Sequence, residues 1–278
     1  VANESLGRVT FNTQSDSLAG NAARNLATGD VDGDGDLDIV TSNFAGNLQF
    51  TVLKNNGNGS FAKTTVNVGA EIYGLALGDI DGDNDLDLVL PGRSAGTVDF
   101  YKNDGTGTFT AHQQLTGLGG VLGATVVDLD GDGDRDVALA RHEQDGILVV
   151  FNNGSGTFSG ATAYNATFGG GPQSIVAADV DTDGDQDLLV TSIFTDTLSL
   201  FKNNGNGTFA SAIDFATPDR PVGMASGDID GDADVDLIVS TDTGSLRVFR
   251  NNGTGSFSTV TTIAFGTAIG VPLLTDVD

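Results

Sequence analysis

The nine residues Asp30-Val31-Asp32-Gly33-Asp34-Gly35-Asp36-Leu37-Asp38 set five carboxylates at alternate positions around two glycines. Oxygens at that spacing can converge on one hard cation, which takes six to eight of them at about 2.3 to 2.6 Å. Positions 1, 3, 5 and 9 (Asp30, Asp32, Asp34, Asp38) would supply carboxylates. Position 7 (Asp36) would supply its backbone carbonyl, leaving its side chain to bond a neighbour or a water. Gly35 at position 6 permits a sharp left-handed turn. The pattern returns as Asp79, Asp81, Asp83, Asp85 and Asp87; as Asp128, Asp130, Asp132, Asp134 and Asp136; as Asp179, Asp181, Asp183, Asp185 and Asp187; and as Asp228, Asp230, Asp232, Asp234 and Asp236. A sixth copy opens at Asp276, two residues before the last residue. Asn84 tolerates the position 6 turn, whereas Ala233 bears a steric cost there, so the fifth loop is the least favourable.

The chemistry of the donors selects the metal. An EF-hand would need a bidentate Glu at position 12 and a following helix, but Thr41, Leu90, Leu139, Val190 and Val239 stand there, and segments such as Ile39-Val40-Thr41 favour strands. Magnesium prefers to keep its waters, and transition metals recruit His or Cys, which the motif lacks. The reading is therefore Ca²⁺, about five ions. The competing reading is a solvated turn whose carboxylates cap backbone amides. Five copies in phase argue against it.

The loops recur 49, 49, 51, 49 and 48 residues apart, the period of a four-stranded propeller blade. In the unit from 61 to 108, Phe61 to Val68 alternates as an outer strand, and Ile72 to Leu77 is apolar on both faces, as an inner strand should be. After the loop, Leu88-Val89-Leu90 reads as a buried strand ended by Pro91-Gly92, and Thr97 to Tyr101 as an alternating one. Turns beginning Asn55-Asn56-Gly57, Asn103-Asp104-Gly105, Asn152-Asn153-Gly154, Asn203-Asn204-Gly205 and Asn251-Asn252-Gly253 read as hairpins, followed by Phe61, Phe109, Phe158, Phe209 and Phe257. Lys54, Lys102, Lys202 and Arg250, just before these turns, read as solvated strand ends. The fold expected is all-β: one propeller domain over 1–278, with units at about 11–60, 61–108, 109–157, 158–208 and 209–256 and a partial one at 257–278. Leu6 to Asp16 reads as an outermost strand and Gly266 to Asp278 as an innermost one. Since closure joins the two ends, the natural chain is expected to continue past Asp278, to six or seven blades.

Charge and composition narrow the partners. The formal charge is −26, and all acidic residues except Glu4, Glu71 and Glu143 are Asp, mostly within the loops. With 12 scattered Lys and Arg, the chain lacks the clustered cations that nucleic acid requires. No apolar run is long enough to span a bilayer. Zero Cys together with calcium loops fits a secreted or cell-surface protein of bacterial type.

The repeated Asp-x-Asp-Gly-Asp-Gly-x-x-Asp loop followed by an apolar strand resembles the FG-GAP (VCBS-type) repeats of bacterial surface and secreted proteins and of the integrin α-subunit propeller. Phe168-Gly169-Gly170-Gly171-Pro172, ahead of Asp179, is similar to the motif that gave the family its name, and the resemblance covers residues 6 to 278. It implies a propeller with calcium loops on one face and a protein or carbohydrate ligand on the other. The expected function is a calcium-binding extracellular binding or adhesion module, with calcium mainly structural. The alternatives are a scaffold or accessory domain of a secreted polysaccharide-acting enzyme, lyase or hydrolase, and a calcium-dependent lectin. For enzymology the one departure from the repeat that offers several functional groups is Arg141-His142-Glu143-Gln144-Asp145; its plainer reading is an exposed polar loop, as for the lone His112. No Trp is present to stack a sugar, and Tyr73, Tyr101 and Tyr164 lie in different contexts.

Overall fold

The computed structural model of the chain describes residues 23–43, 48–166, 170–217, 220–257, 259–264, 266 and 270–272. Among them are twenty strands and no helix. Blade 1 contains β1 (Ala23–Gly29), β2 (Asp38–Asn43), β3 (Gln49–Asn55) and β4 (Phe61–Asn67). Blade 2 contains β5 (Ala76–Gly78), β6 (Asp87–Gly92), β7 (Thr97–Asn103) and β8 (Phe109–Leu115). Blade 3 is built from β9 (Val121–Val127), β10 (Asp136–Arg141), β11 (Ile147–Asn152) and β12 (Phe158–Tyr164). Blade 4 is built from β13 (Pro172–Ala178), β14 (Asp187–Ser192), β15 (Thr197–Phe201) and β16 (Ile213–Ala216). Blade 5 has β17 (Pro221–Gly227), β18 (Asp236–Thr241), β19 (Ser245–Arg250) and β20 (Thr259–Ala264). Each sheet is an antiparallel meander in chain order, and the first strands β1, β5, β9, β13 and β17 meet in sequence around the centre of the ring.

The cores lie between blades rather than within them. A strand such as β10 is apolar at nearly every position because both faces of its sheet are covered by neighbouring sheets. Four clusters weld blade 1 to 2, 2 to 3, 3 to 4 and 4 to 5. The aromatic after each turn packs backwards into the preceding interface: Phe109 meets Phe50 edge-on at 5.8 Å, and Phe158 stacks on Phe100 at 4.2 Å. Phe109, Phe158, Phe209 and Phe257 are buried, whereas Phe61, in the first described blade, is half-exposed.

One expected boundary moves. Pro91 lies inside β6, paired with Val98, instead of ending the strand. Proline has no N–H to give to the inner strand, so regular pairing there shrinks to Ala76–Gly78, although Ile72 and Leu75 are still buried. Leu6 to Asp16, Phe168-Gly169 and most of Gly266 to Asp278 lie outside the described residues. Val271 is described, and packs against Gly223 of β17 much as Leu122 packs against Gly74.

Candidate metal centre

All five acidic loops join the first and second strands of their blades, so the ring presents them on one face. The local fold follows from two left-handed residues. Gly33 and Gly35 have φ of 74° and 91°, which turns their amides inward onto Asp30: Gly33 N–H donates to Oδ1 at 2.8 Å and Gly35 N–H to Oδ2 at 2.9 Å. Position 9 opens the second strand and is buried. Asp38 accepts the Val31 amide on Oδ2 at 2.9 Å and the Asn55 amide on Oδ1 at 2.7 Å. The same paired bonds hold Asp87, Asp136, Asp187 and Asp236.

Positions 1, 3 and 9 come together. One oxygen from each of Asp30, Asp32 and Asp38 lies within 4.8 Å of the others, and the same holds for Asp79, Asp81 and Asp87; Asp128, Asp130 and Asp136; Asp179, Asp181 and Asp187; and Asp228, Asp230 and Asp236. Position 5 lies outside these triads: Asp34, Asp83, Asp132, Asp183 and Asp232 instead accept the amide of position 7 at 2.9 to 3.0 Å. The position 7 side chains face the hairpin turn of their own blade, where a Cβ on Gly57 would stand 2.7 Å from Asp36 Oδ2.

Electrostatics mark the triads as incomplete. Burial pushes Asp87, Asp136 and Asp187 up to about 6, despite two amide bonds each, and the neighbouring carboxylates add to the shift. Asp32 Oδ1, Asp81 Oδ1 and Asp181 Oδ1 are buried and accept no hydrogen bond. A buried anionic oxygen without a donor is costly, and a cation in the triad would satisfy it.

Two sets of residues around the loops differ from their sequence readings. The basic residues are not free strand ends: Lys54, Lys102, Lys202 and Arg250 pair with Asp32, Asp81, Asp181 and Asp230, the position 3 residues. Burial would raise Asp81, but the hydrogen bond and charge of Lys102 outweigh it and hold it below the usual carboxylate value. The first Asn of each turn does more than turn the chain. Asn103 Nδ2 reaches back one blade to the Val31 carbonyl at 2.8 Å, and Asn152, Asn203 and Asn251 reach Ile80, Leu129 and Val180 at 2.7 to 2.8 Å. The sequence signal was the invariance of that Asn across five turns, beyond what positive φ requires.

Loop 4 is a local exception. Thr182 stands at position 4, where the other loops have glycine, and keeps φ at 60°. Gly33, Gly82, Gly131 and Gly231 donate to Oδ1 of position 1, but Asp179 Oδ1 is buried without a partner.

The other candidates have structural surroundings. His142 is buried, its Nδ1 3.1 Å from the Pro172 carbonyl and its ring 5.7 Å from Phe194, so the imidazole is bonded to backbone rather than to a carboxylate. Burial lowers its pKa. Arg141 bonds the Gln144 side chain at 2.7 Å and Asn165 at 3.2 Å, while Glu143 pairs with Arg93 at 3.6 Å, so the segment ties blades 2 and 3 together. His112 is exposed on β8. Tyr101 and Tyr164 pack in interblade cores, the latter edge-on to Phe209. Tyr73 is different: with Arg24, Gln173 and Ser174 it lines a central cavity of about 310 Å³, and the guanidiniums of Arg24 and Arg93 lie 4.8 and 5.8 Å from its ring centre.

Comparison with known proteins follows the same repeats. A family model described as the FG-GAP-like repeat matches residues 30–90, 90–139, 128–190 and 181–239. The structure of an Agrocybe aegerita lectin, described for its specific recognition of non-reducing terminal N-acetylglucosamine, is similar to this chain at 24% identity with a TM-score of 0.60. The likeness covers 86% of this chain, which spans 65% of the length of that lectin. BBS1N in complex with ARL6DN is similar at 12% identity and a TM-score of 0.51, over 92% of this chain and 86% of that one. At these identities the likeness is one of fold. No curated protein sequence matches the chain.

Proposed function

This chain belongs to the family of FG-GAP-like repeats, and on that premise we propose that it is a calcium-stabilised extracellular propeller whose other face binds a protein or carbohydrate ligand. The observation that carries the metal reading is the set of buried, donorless oxygens on Asp32, Asp81 and Asp181, each inside a triad of carboxylates. Positions 1, 3 and 9 of each loop would hold one ion. Bound calcium would supply positive charge beyond that of the one Lys or Arg already paired with four of the five triads.

The part the metal plays is structural. Each of the first four triads is sealed by amides of its own blade and by an Asn from the next, so a cation there fixes a joint between blades. At the affinities usual for extracellular sites, about 10⁻⁴ to 10⁻³ M, and about 1 mM calcium, each site contributes about 0.4 to 1.4 kcal/mol. Those values assume the secreted or cell-surface setting that is part of the proposal. The opposite face carries departures of its own from the repeat, including exposed Phe194 and the Arg24, Tyr73 and Arg93 cluster. Departures placed on a repeated scaffold are where a ligand site is built.

The lectin reading is favoured over the enzyme by two observations. The structural likeness includes a lectin of the same fold, and the one departure from the repeat with several functional groups, the segment around His142, is occupied with interblade bonds. Melting in 1 mM calcium and in excess chelator tests the metal, and an unchanged melting temperature would sink it. Screening glycans and matrix proteins, with turnover assays on polysaccharides alongside, tests the ligand; turnover without stable binding would restore the enzyme.

A further inference from the structure

Among the described residues, four of the five loops have a cation of their own and one does not. Lys54 Nζ lies 3.4 Å from Asp32 Oδ2, Lys102 Nζ 2.7 Å from Asp81 Oδ2 and Lys202 Nζ 2.8 Å from Asp181 Oδ2, while Arg250 pairs with Asp230. These side chains are fixed at both ends of their reach. The three lysines also donate to the carbonyls of Thr106, Ser155 and Thr254 in the following blade's turn, and their stems lie over Gly107, Gly156 and Gly255, where a Cβ would come within 2.8 to 3.1 Å.

In blade 3 the equivalent residue is Phe151. Its ring takes the place of the stem, close against Gly207, and brings no charge to the loop. Among the described residues Asp130 has no cationic partner. Arg135 does not replace the lysine: although it sits within the third loop, it is exposed, makes no ion pair with the triad, and lines a cleft with Asp185 and Gln186.

A lysine on Oδ2 leaves Oδ1 for a metal, so both can be present. They nonetheless repel. A fixed unit charge about 5 Å from a divalent ion in water-like surroundings weakens its binding about tenfold, and the partial exposure of the lysines argues for that high-dielectric figure rather than a larger one. The lysine also relieves carboxylate crowding in the metal-free loop, which reduces what the metal can add.

We infer that the third loop, Asp128 to Asp136, is the single tight calcium site of this chain, and that the other four are weaker sites in which lysine or arginine stands in for part of the metal's charge. This rests on the calcium reading of the loops. When calcium falls, the four lysine- or arginine-bearing loops empty first and remain partly neutralised. The third empties last and leaves its triad without a cation, held by backbone amides alone, including that of Asp132 on Asp130 Oδ1 at 3.3 Å.

The test is calorimetric calcium titration of the full chain after chelator treatment. One site about tenfold tighter than the rest is expected in the wild type. Phe151→Lys should merge it with the weak class, and Lys102→Met, which keeps the apolar stem and disturbs no core, should create a second tight site. Five equivalent sites in the wild type, or an unchanged count of tight sites in Lys102→Met, would overturn the inference. The absence of any calcium binding would instead overturn the calcium reading on which it stands.

Discussion

Asn152 and Asn55 occupy the same place in the repeat, yet the structure assigns them different weights. Asn152 Nδ2 donates to the Ile80 carbonyl of the preceding blade at 2.7 Å and to the Arg135 carbonyl at 3.0 Å, and its Oδ1 accepts the Asn153 and Gly156 amides at 2.8 and 3.1 Å. Among the described residues Asn55 bonds within its own blade only, giving Nδ2 to Leu37 at 3.4 Å and taking the Gly57 amide at 3.1 Å on an exposed surface. Alanine at 152 strands the Ile80 carbonyl in an environment where Ile80 is 1% exposed. One stranded buried acceptor costs about 1 to 3 kcal/mol, and the other lost bonds, which water can reach, about 0.5 to 1.5 each at most. Asn152→Ala should therefore cost about 2 to 4 kcal/mol, against less than about 1 for Asn55→Ala. Urea unfolding in excess chelator, followed by circular dichroism, measures both without interference from metal linkage. Equal costs for the two variants would refute the reasoning, because they would show that the turn, and not the reach across blades, is what the Asn serves.

Other consequences follow from the same geometry. Thr182→Gly should restore the amide bond to Asp179 Oδ1 and remove a left-handed β-branched residue, stabilising the protein by about 1 kcal/mol in the same unfolding assay. Phe158→Ala should cost about 3 to 5 kcal/mol because its ring is stacked and buried, whereas half-exposed Phe61→Ala should cost far less; comparable losses would contradict the interface assignment. The folded pKa of His142 is below its unfolded value of 6.5, chiefly through burial, so the unfolded chain binds more protons just below that pH. Its contribution is complete above about pH 6.5 and is lost as pH falls toward the folded pKa. His142→Gln should accordingly narrow the gap in melting temperature between pH 7.5 and pH 5.5, and an unchanged gap would place the acid sensitivity elsewhere.

Period and pattern make the blades legible in the sequence. The alternation in Phe61 to Val68, the doubly apolar Leu88-Val89-Leu90 and the acidic loop between them follow from residue type alone. Positions 1, 3 and 9 of the loop were legible for the same reason, since a bend around two left-handed residues turns alternate side chains inward. Two things were not. Position 5 leaves the triad because the nearest free amide, that of position 7, competes for its carboxylate, and spacing cannot rank competitors. The roles of Lys54 and Asn103 depend on how one sheet leans on the next, and a single repeat unit contains no information about its neighbour. The β-strand shortened by Pro91 belongs to the same class: the missing donor was visible, but its partner strand was not.

The backward reach of Asn103, Asn152, Asn203 and Asn251 also sets a schedule. Each of the first four loops is sealed by a residue that lies 71 to 74 positions further along the chain. As the polypeptide emerges from the ribosome, a newly made acidic loop must therefore wait, open and strongly negative, until the turn of the next blade has been synthesised and docked. Assembly becomes vectorial, with every blade acting as the foreman of the one before it. The same latch order should hold in reverse under mechanical pull from the C-terminal side, where each blade that peels away unseals the loop of its predecessor and hands the strain down the ring.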